Sequence, residues 1–246
     1  MTDGSVVRIA ATADLHFGRH PAGSYVPGLT AAASDADVLV ICGDLTDHGR
    51  TDEAEGIAKL LKETVRIPVV AVLGNHDCES NQESDLRAIL GDAGIHLLDG
   101  DAVEIKGVGF AGVKGFCGGF GARALGPWGE ASIKAFVQET VSEALKLETA
   151  LARLRSVPSV AVLHYSPIAA TVEGEPLEIF PFLGSSRLED PLIRYQVAAV
   201  FHGHAHHGRP EGRTSNGIPV FNVSMPLMQR AQPGQPFRRF DVPLAR

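Results

Sequence analysis

Along the chain, short β-branched runs alternate with amphipathic stretches. Val6–Ala11, Val38–Cys42, Val69–Leu73, Val157–Leu163, Val197–Phe201 and Ile218–Val223 are strand-length and almost wholly apolar. Weaker strands are predicted at Ile95–Leu98, Ala102–Ile105 and Val108–Val113. Runs without polar alternation suit strands covered on both faces. Apolar positions recur at helical spacing within Thr51–Thr64 (Ile57, Leu60, Leu61), Gln82–Gly91 (Leu86, Ile89, Leu90) and Ala131–Ser156 (Ile133, Val137, Val141, Leu145, Leu151). Strands alternating with helices predict α/β layers. No repeat, low-complexity tract or linker marks a boundary, so residues 1–246 are expected to form a single domain.

Two stretches follow neither period. Residues 114–130 hold six glycines and the only tryptophan, Trp128, while residues 165–186 carry Pro167, Gly174, Pro176 and Pro181 before Leu183. Loops this long are commonly functional lids, with plain surface connection as the alternative.

The informative polar residues stand where the apolar runs stop. The first run closes on Asp14-Leu15-His16, the second on Gly43-Asp44-Leu45-Thr46-Asp47, and the third on Gly74-Asn75-His76-Asp77. The run to Leu163 closes on His164, and the run to Phe201 on Gly203-His204-Ala205-His206. Ligands of α/β sheets bind in the crevice beyond the carboxyl ends of the strands, so residues spread from Asp14 to His206 can converge there. A strand-end Asp or His is by itself a weak signal, since turns favour the same residues. Gly-Asn-His-Asp is stronger, arising by accident in roughly one chain in a thousand of this length. Histidine, aspartate and asparagine together make the nitrogen and oxygen set that borderline divalent ions take.

Charge and cysteine content narrow the setting. With 22 Lys+Arg against 29 Asp+Glu the formal charge is −7. No global positive field draws nucleic acid or an anionic membrane, and a phosphate must be attracted locally. Cys42, Cys78 and Cys117 lack the spacing of a zinc ribbon or disulfide framework, and no apolar run reaches membrane length. With no basic segment at the start of the chain, a cytoplasmic setting is expected.

In order and spacing, the motifs from Asp14 to His206 resemble the calcineurin-like metallophosphoesterases. Carried over position by position, the resemblance implies that Asp14, His16 and His206 hold one metal ion and that Asn75, His164 and His204 hold a second. The Asp44 carboxylate then lies between them. His76 becomes a catalytic imidazole that is not a ligand, and Asp47 the acid that orients it. The implied fold is a four-layer α/β/β/α sandwich of two mixed sheets flanked by helices. The implied cofactor is a pair of divalent ions, Mn, Fe, Zn or Co, which leaves a locally positive centre for a phosphate despite the acidic chain. Paired ions activate water, polarise phosphoryl oxygens and clamp an in-line displacement, while His76 protonates the leaving oxygen.

Departures from sub-patterns order the substrates. Ser/Thr phosphatases of this superfamily carry Arg after the second Asp of their Gly-Asp-x-x-Asp motif, where this chain has His48. Ala13-Asp14-Leu15-His16-Phe17-Gly18 is similar to the opening of SbcD-type nucleases, but no basic strip follows. Compact length with Gly-Asn-His-Asp and Gly-His-x-His resembles the class III cyclic-nucleotide phosphodiesterases, which puts a small nucleotide-like phosphate ester first. A non-catalytic scaffold is the competing class, and it should lack the acid or several ligands. Asp77 is expected either to partner a metal ligand or, as the favoured reading, to cap the turn leading to the helix at Gln82, and His202 and His207 to flank the ligand pair at the surface or behind a ligand without ligating.

Overall fold

The computed structural model describes residues 6–154 and 158–244. Eleven strands form two sheets. The first contains β1 (Val6–Thr12), β2 (Val38–Cys42), β3 (Val69–Val72) and β4 (His96–Leu97), all parallel, with β11 (Arg238–Pro243) antiparallel along the free edge of β1. The second contains β5 (Asp101–Ile105), β6 (Val108–Val113), β7 (Ser159–Leu163), β8 (Ala199–His202), β9 (Glu211–Arg213) and β10 (Pro219–Asn222) in the order β5-β6-β7-β8-β10-β9. Its four central strands are parallel and its two edges antiparallel.

The helices are α1 (Val26–Ser34), α2 (Thr51–Thr64), α3 (Glu83–Asp92), α4 (Ala131–Ala152), α5 (Phe180–Leu183), α6 (Glu189–Tyr195) and α7 (Met225–Ala231). Alternation along single strands builds the layers. On β2, Val38, Val40 and Cys42 face the second sheet, where they meet Phe110, Val162 and Phe201, while Leu39 and Ile41 face Leu29, Ile57 and Leu61 of the outer helices. On β7, Val160 and Val162 face inward, and Ala161 and Leu163 pack against Leu147, Leu151 and Leu192. Both faces of these strands are dry, which is why their sequences read as continuous apolar runs. The result is the four-layer α/β/β/α sandwich.

Several elements differ from the expectation. Helix α4 ends at Ala152; Ser156, expected to end it, and Val157, expected to open β7, lie outside the described residues. Helix α1 was masked by Pro27 and Gly28 in its first turn. The basic segment at Arg238-Arg239 is strand β11, whose outer positions are exposed and whose Val242 reaches the core. Among the described residues, no helix is long and apolar enough to cross a membrane.

Candidate metal centre

The parallel strands of both sheets end at one place. Asp14 follows β1, Asp44 follows β2, Asn75 follows β3, His164 follows β7, and His204 and His206 follow β8. To turn these side chains into a common crevice the backbone leaves its ordinary regions: Asp14 (φ 57°), His16 (φ 45°), Asp44 (φ 50°) and His204 (φ 69°) are all left-handed. That conformation is uncommon for residues with a Cβ, and such strain collects at functional sites. Glycine is required alongside. A Cβ on Gly74 would collide with the Asp44 carboxylate, and one on Gly203 would stand 2.6 Å from the Asp14 carboxylate.

Two groups of donors emerge, Asp14 with His16 and His206, and Asp44 with His164 and His204, and a third links His16 to Asp47 and His76. Asp14 Oδ1 lies 3.2 Å from His206 Nε2, and its carboxylate also accepts the His204 backbone N–H at 3.0 Å. Asn75 Oδ1 is 2.9 Å from His164 Nε2. Asp44 stands between the groups, with Oδ2 3.7 Å from His16 Nε2 and Oδ1 3.5 Å from His164 Nε2. The far sides of the rings are fixed by acceptors. His164 Nδ1 donates to the Cys42 carbonyl at 2.9 Å, and His204 Nε2 donates to the Phe182 carbonyl at 3.1 Å. One nitrogen of each ring is thereby left free for a metal, the usual way a protein orients a ligating imidazole.

The electrostatics fit bound cations. Burial, reinforced by the nearby carboxylates of Asp14 and Asp77, pushes the Asp44 carboxyl well above its ordinary range. Burial would raise Asp14 too, but the hydrogen bond and attraction from His206 oppose it, and Asp14 is held low. Burial lowers His16 to about 4, and it lowers His164 and His204 as well, so these imidazoles are neutral and open to ligation. Both ring nitrogens of His16 are buried without a hydrogen-bond partner. Buried polar atoms of that kind call for a missing partner, and a divalent cation would satisfy His16 and relieve the crowding of the carboxylates.

Two expectations, for Asp47 and Asp77, need correction. The Asp47 carboxylate does not touch His76. It is engaged by Arg19 at 2.6 Å and lies 3.3 Å from His16 Nδ1. What meets His76 Nδ1 is the Asp47 backbone carbonyl at 2.8 Å, together with Glu79 Oε1 at 3.1 Å. Asp77 caps no helix. Fully buried, it accepts from the backbone N–H groups of Leu45, Thr46 and Gly74 and from the Thr46 hydroxyl, locking the β2 and β3 loops together. His202 is fully buried, held between Thr171 Oγ1 and the Gly203 carbonyl, each at 2.8 Å.

Sequence reasoning missed Arg19, Glu79 and Asn222. Glu79 carried a visible signal, standing three residues after His76. Asn222, at the end of β10, supports the ligand loop by donating to the Ala205 carbonyl at 2.7 Å. It stands inside the sixth apolar run, one residue before its end at Val223.

Two mixed sheets whose strand ends gather aspartates and histidines define a metallophosphoesterase fold. The model of the calcineurin-like phosphoesterases matches residues 7–208, and the chain belongs to that family. It is a metal-dependent phosphoesterase. Among solved structures, phosphopantetheinyl hydrolase (PptH) from Mycobacterium tuberculosis superposes with a TM-score of 0.65 at 18% identity, over 94% of this chain and 95% of that one. TT1561 of Thermus thermophilus follows at 0.57 and 15% identity, over 97% and 99%. A putative 5'-nucleotidase from Staphylococcus aureus, in complex with alpha-ketoglutarate, matches at 0.54 and 12% identity, over 89% of this chain and 48% of its own. At these identities the likeness speaks for the fold alone. No curated protein matches the chain in sequence.

Proposed function

We propose that the chain hydrolyses a small phosphate mono- or diester at a dinuclear divalent-metal centre. Asp14, His16 and His206 hold one ion, Asn75, His164 and His204 the other, and Asp44 spans both. Mn, Fe, Zn and Co all suit this donor set. The observation that carries the reading is the position of Asp44, whose two carboxylate oxygens face His16 on one side and His164 on the other.

When bound, two such ions acidify water, polarise phosphoryl oxygens and neutralise charge developing in the displacement. The remaining work belongs to the chain's own residues. His76 lies edge-on to His16 with ring centroids 4.5 Å apart, and its side chain is partly open to solvent. The Asp47 carbonyl can only accept, so His76 Nδ1 is the donor there and Nε2 is the nitrogen that gives a proton to the departing oxygen. Glu79 Oε1, 3.1 Å from Nδ1, helps to hold the ring in place. Arg19, held by Asp47 at the lip of the centre, adds the positive charge a phosphate needs.

A nucleotide-like ester is the first substrate to try, and the neighbour named phosphopantetheinyl hydrolase adds a phosphopantetheinyl ester to the panel. The test is a screen of mono-, di- and cyclic phosphates with Mn²⁺, with bound metal measured in parallel. Turnover that needs Mn²⁺ and stops with chelator is expected. Two tightly held ions with no turnover anywhere would leave the non-catalytic scaffold.

A further inference from the structure

The two long loops, 114–130 and 165–186, close on each other to form a cavity of about 600 Å³. Its walls include Phe120, Trp128, Phe136, Leu177, Phe180 and Phe182, and among the described residues Arg123 is the one charged side chain that lines it. Trp128, Leu177 and Phe182 are 62%, 76% and 55% exposed, so large apolar groups stand open to water around it. The cavity adjoins the metal centre through a single residue. Phe182 lines it, and the Phe182 carbonyl is the acceptor that fixes His204.

The backbone polar atoms of Gly118, Gly119 and Phe182 along the wall are already committed. The N–H groups of Gly118 and Gly119 donate to the carbonyls of Pro181 and Gly184, and their own carbonyls accept from Leu125 and Ser186. The Phe182 carbonyl accepts from His204 and from the Cys117 thiol. A nucleobase placed here would find side-chain donors in Arg123 and the Trp128 indole but otherwise apolar walls, and each of its polar atoms left without a partner is costly. An apolar group loses nothing and gains burial.

We propose that this cavity holds the organic part of the substrate and that this part is an apolar group, so the substrate class is phosphate esters of hydrophobic alcohols. The proposal rests on the phosphoesterase reading of the neighbouring centre and departs from a nucleotide as the ester. Arg123 serves the polar junction between the apolar group and the phosphate.

Binding and turnover test it separately. Trp128 is the only tryptophan of the chain, so its emission reports on the cavity without catalysis. Octylphosphonate, which is not hydrolysed, should move the emission to shorter wavelength, and methylphosphonate and AMP at equal concentration should not. With Mn²⁺ present, kcat/KM for n-alkyl phosphates should rise about three- to fourfold per methylene until the cavity is filled. In the Trp128→Ala/Leu177→Ala double variant, which removes two exposed side chains, the octyl-to-methyl ratio of kcat/KM should fall at least tenfold. Flat chain-length dependence without an emission shift would overturn the proposal, as would AMP shifting the emission and outcompeting octylphosphonate. An emission shift with octylphosphonate but no hydrolysis of any ester would overturn the phosphoesterase reading instead, because the cavity would then bind a ligand that the centre does not process.

Discussion

At Asp44 one carboxylate faces imidazoles from both sheets, His16 Nε2 at 3.7 Å and His164 Nε2 at 3.5 Å. Its charge would offset the mutual repulsion of two ions, so Asp44→Asn is expected to abolish turnover and to lower the content of both metals. Elemental analysis showing two tightly held ions and near-native turnover would rule out the bridging role. His76 is separable from the ligands by leaving group. A positioned acid contributes about 10²–10⁴-fold, and p-nitrophenolate departs without a proton where an alkoxide does not. His76→Ala should therefore lose activity near the upper end on an alkyl ester and near the lower end on a p-nitrophenyl ester, with metal content retained. Equal losses on both, or a lost ion, would make His76 a ligand or a phosphate-binding group. Since Nδ1 meets the Asp47 backbone and the Glu79 carboxylate, Glu79→Gln should reproduce a weaker form of that leaving-group dependence. Asp47→Asn should not, because the carbonyl remains; its effect is expected on Arg19 and His16 instead.

At the scale of elements, the loops after β2 and β3 are joined by Asp77, which satisfies three buried backbone donors and the Thr46 hydroxyl. Asp77→Ala strands those donors in the interior and should cost roughly 3 kcal/mol in denaturant unfolding. A loss under about 1 kcal/mol would mean the loops hold without it. The same elements explain what was legible in the sequence. Strands β2, β3, β7 and β8 could be read because each is buried on both faces, β1 because its last four residues are buried, and all five because the polar residues that follow them recur in a fixed order. Asp77 was misread because the cap of a turn and the tie between two loops look identical until the loops are side by side. Edge strand β11 alternates exposed and buried positions around Arg238 and Arg239, so its charge hid its pairing with β1. The cavity left no periodic trace, since Phe120, Trp128 and Phe182 meet only after two irregular loops fold over each other.

Across the whole molecule, the donors are divided between the sheets: Asp14, His16, Asp44 and Asn75 follow strands of the first, and His164, His204 and His206 follow strands of the second. Phe110 and Phe201, fully buried, belong to the core that holds the sheets face to face. Neither sheet alone presents the whole centre, so metal should bind the assembled sandwich far more tightly than the unfolded chain. Binding at a hundredfold excess over Kd then stabilises the fold by about 2.7 kcal/mol. For a chain of this size each kcal/mol moves Tm by about 2–4 °C, so saturating Mn²⁺ should raise Tm by roughly 5–10 °C over the chelator-treated protein. Asp44→Asn should lose most of that increment. Phe110→Ala should lower Tm with or without metal, by the equivalent of about 3–5 kcal/mol, yet keep the increment, since it weakens the contact between the sheets without removing a donor. A melting temperature identical in chelator and in Mn²⁺ would mean that the strand ends do not form a metal centre spanning both sheets.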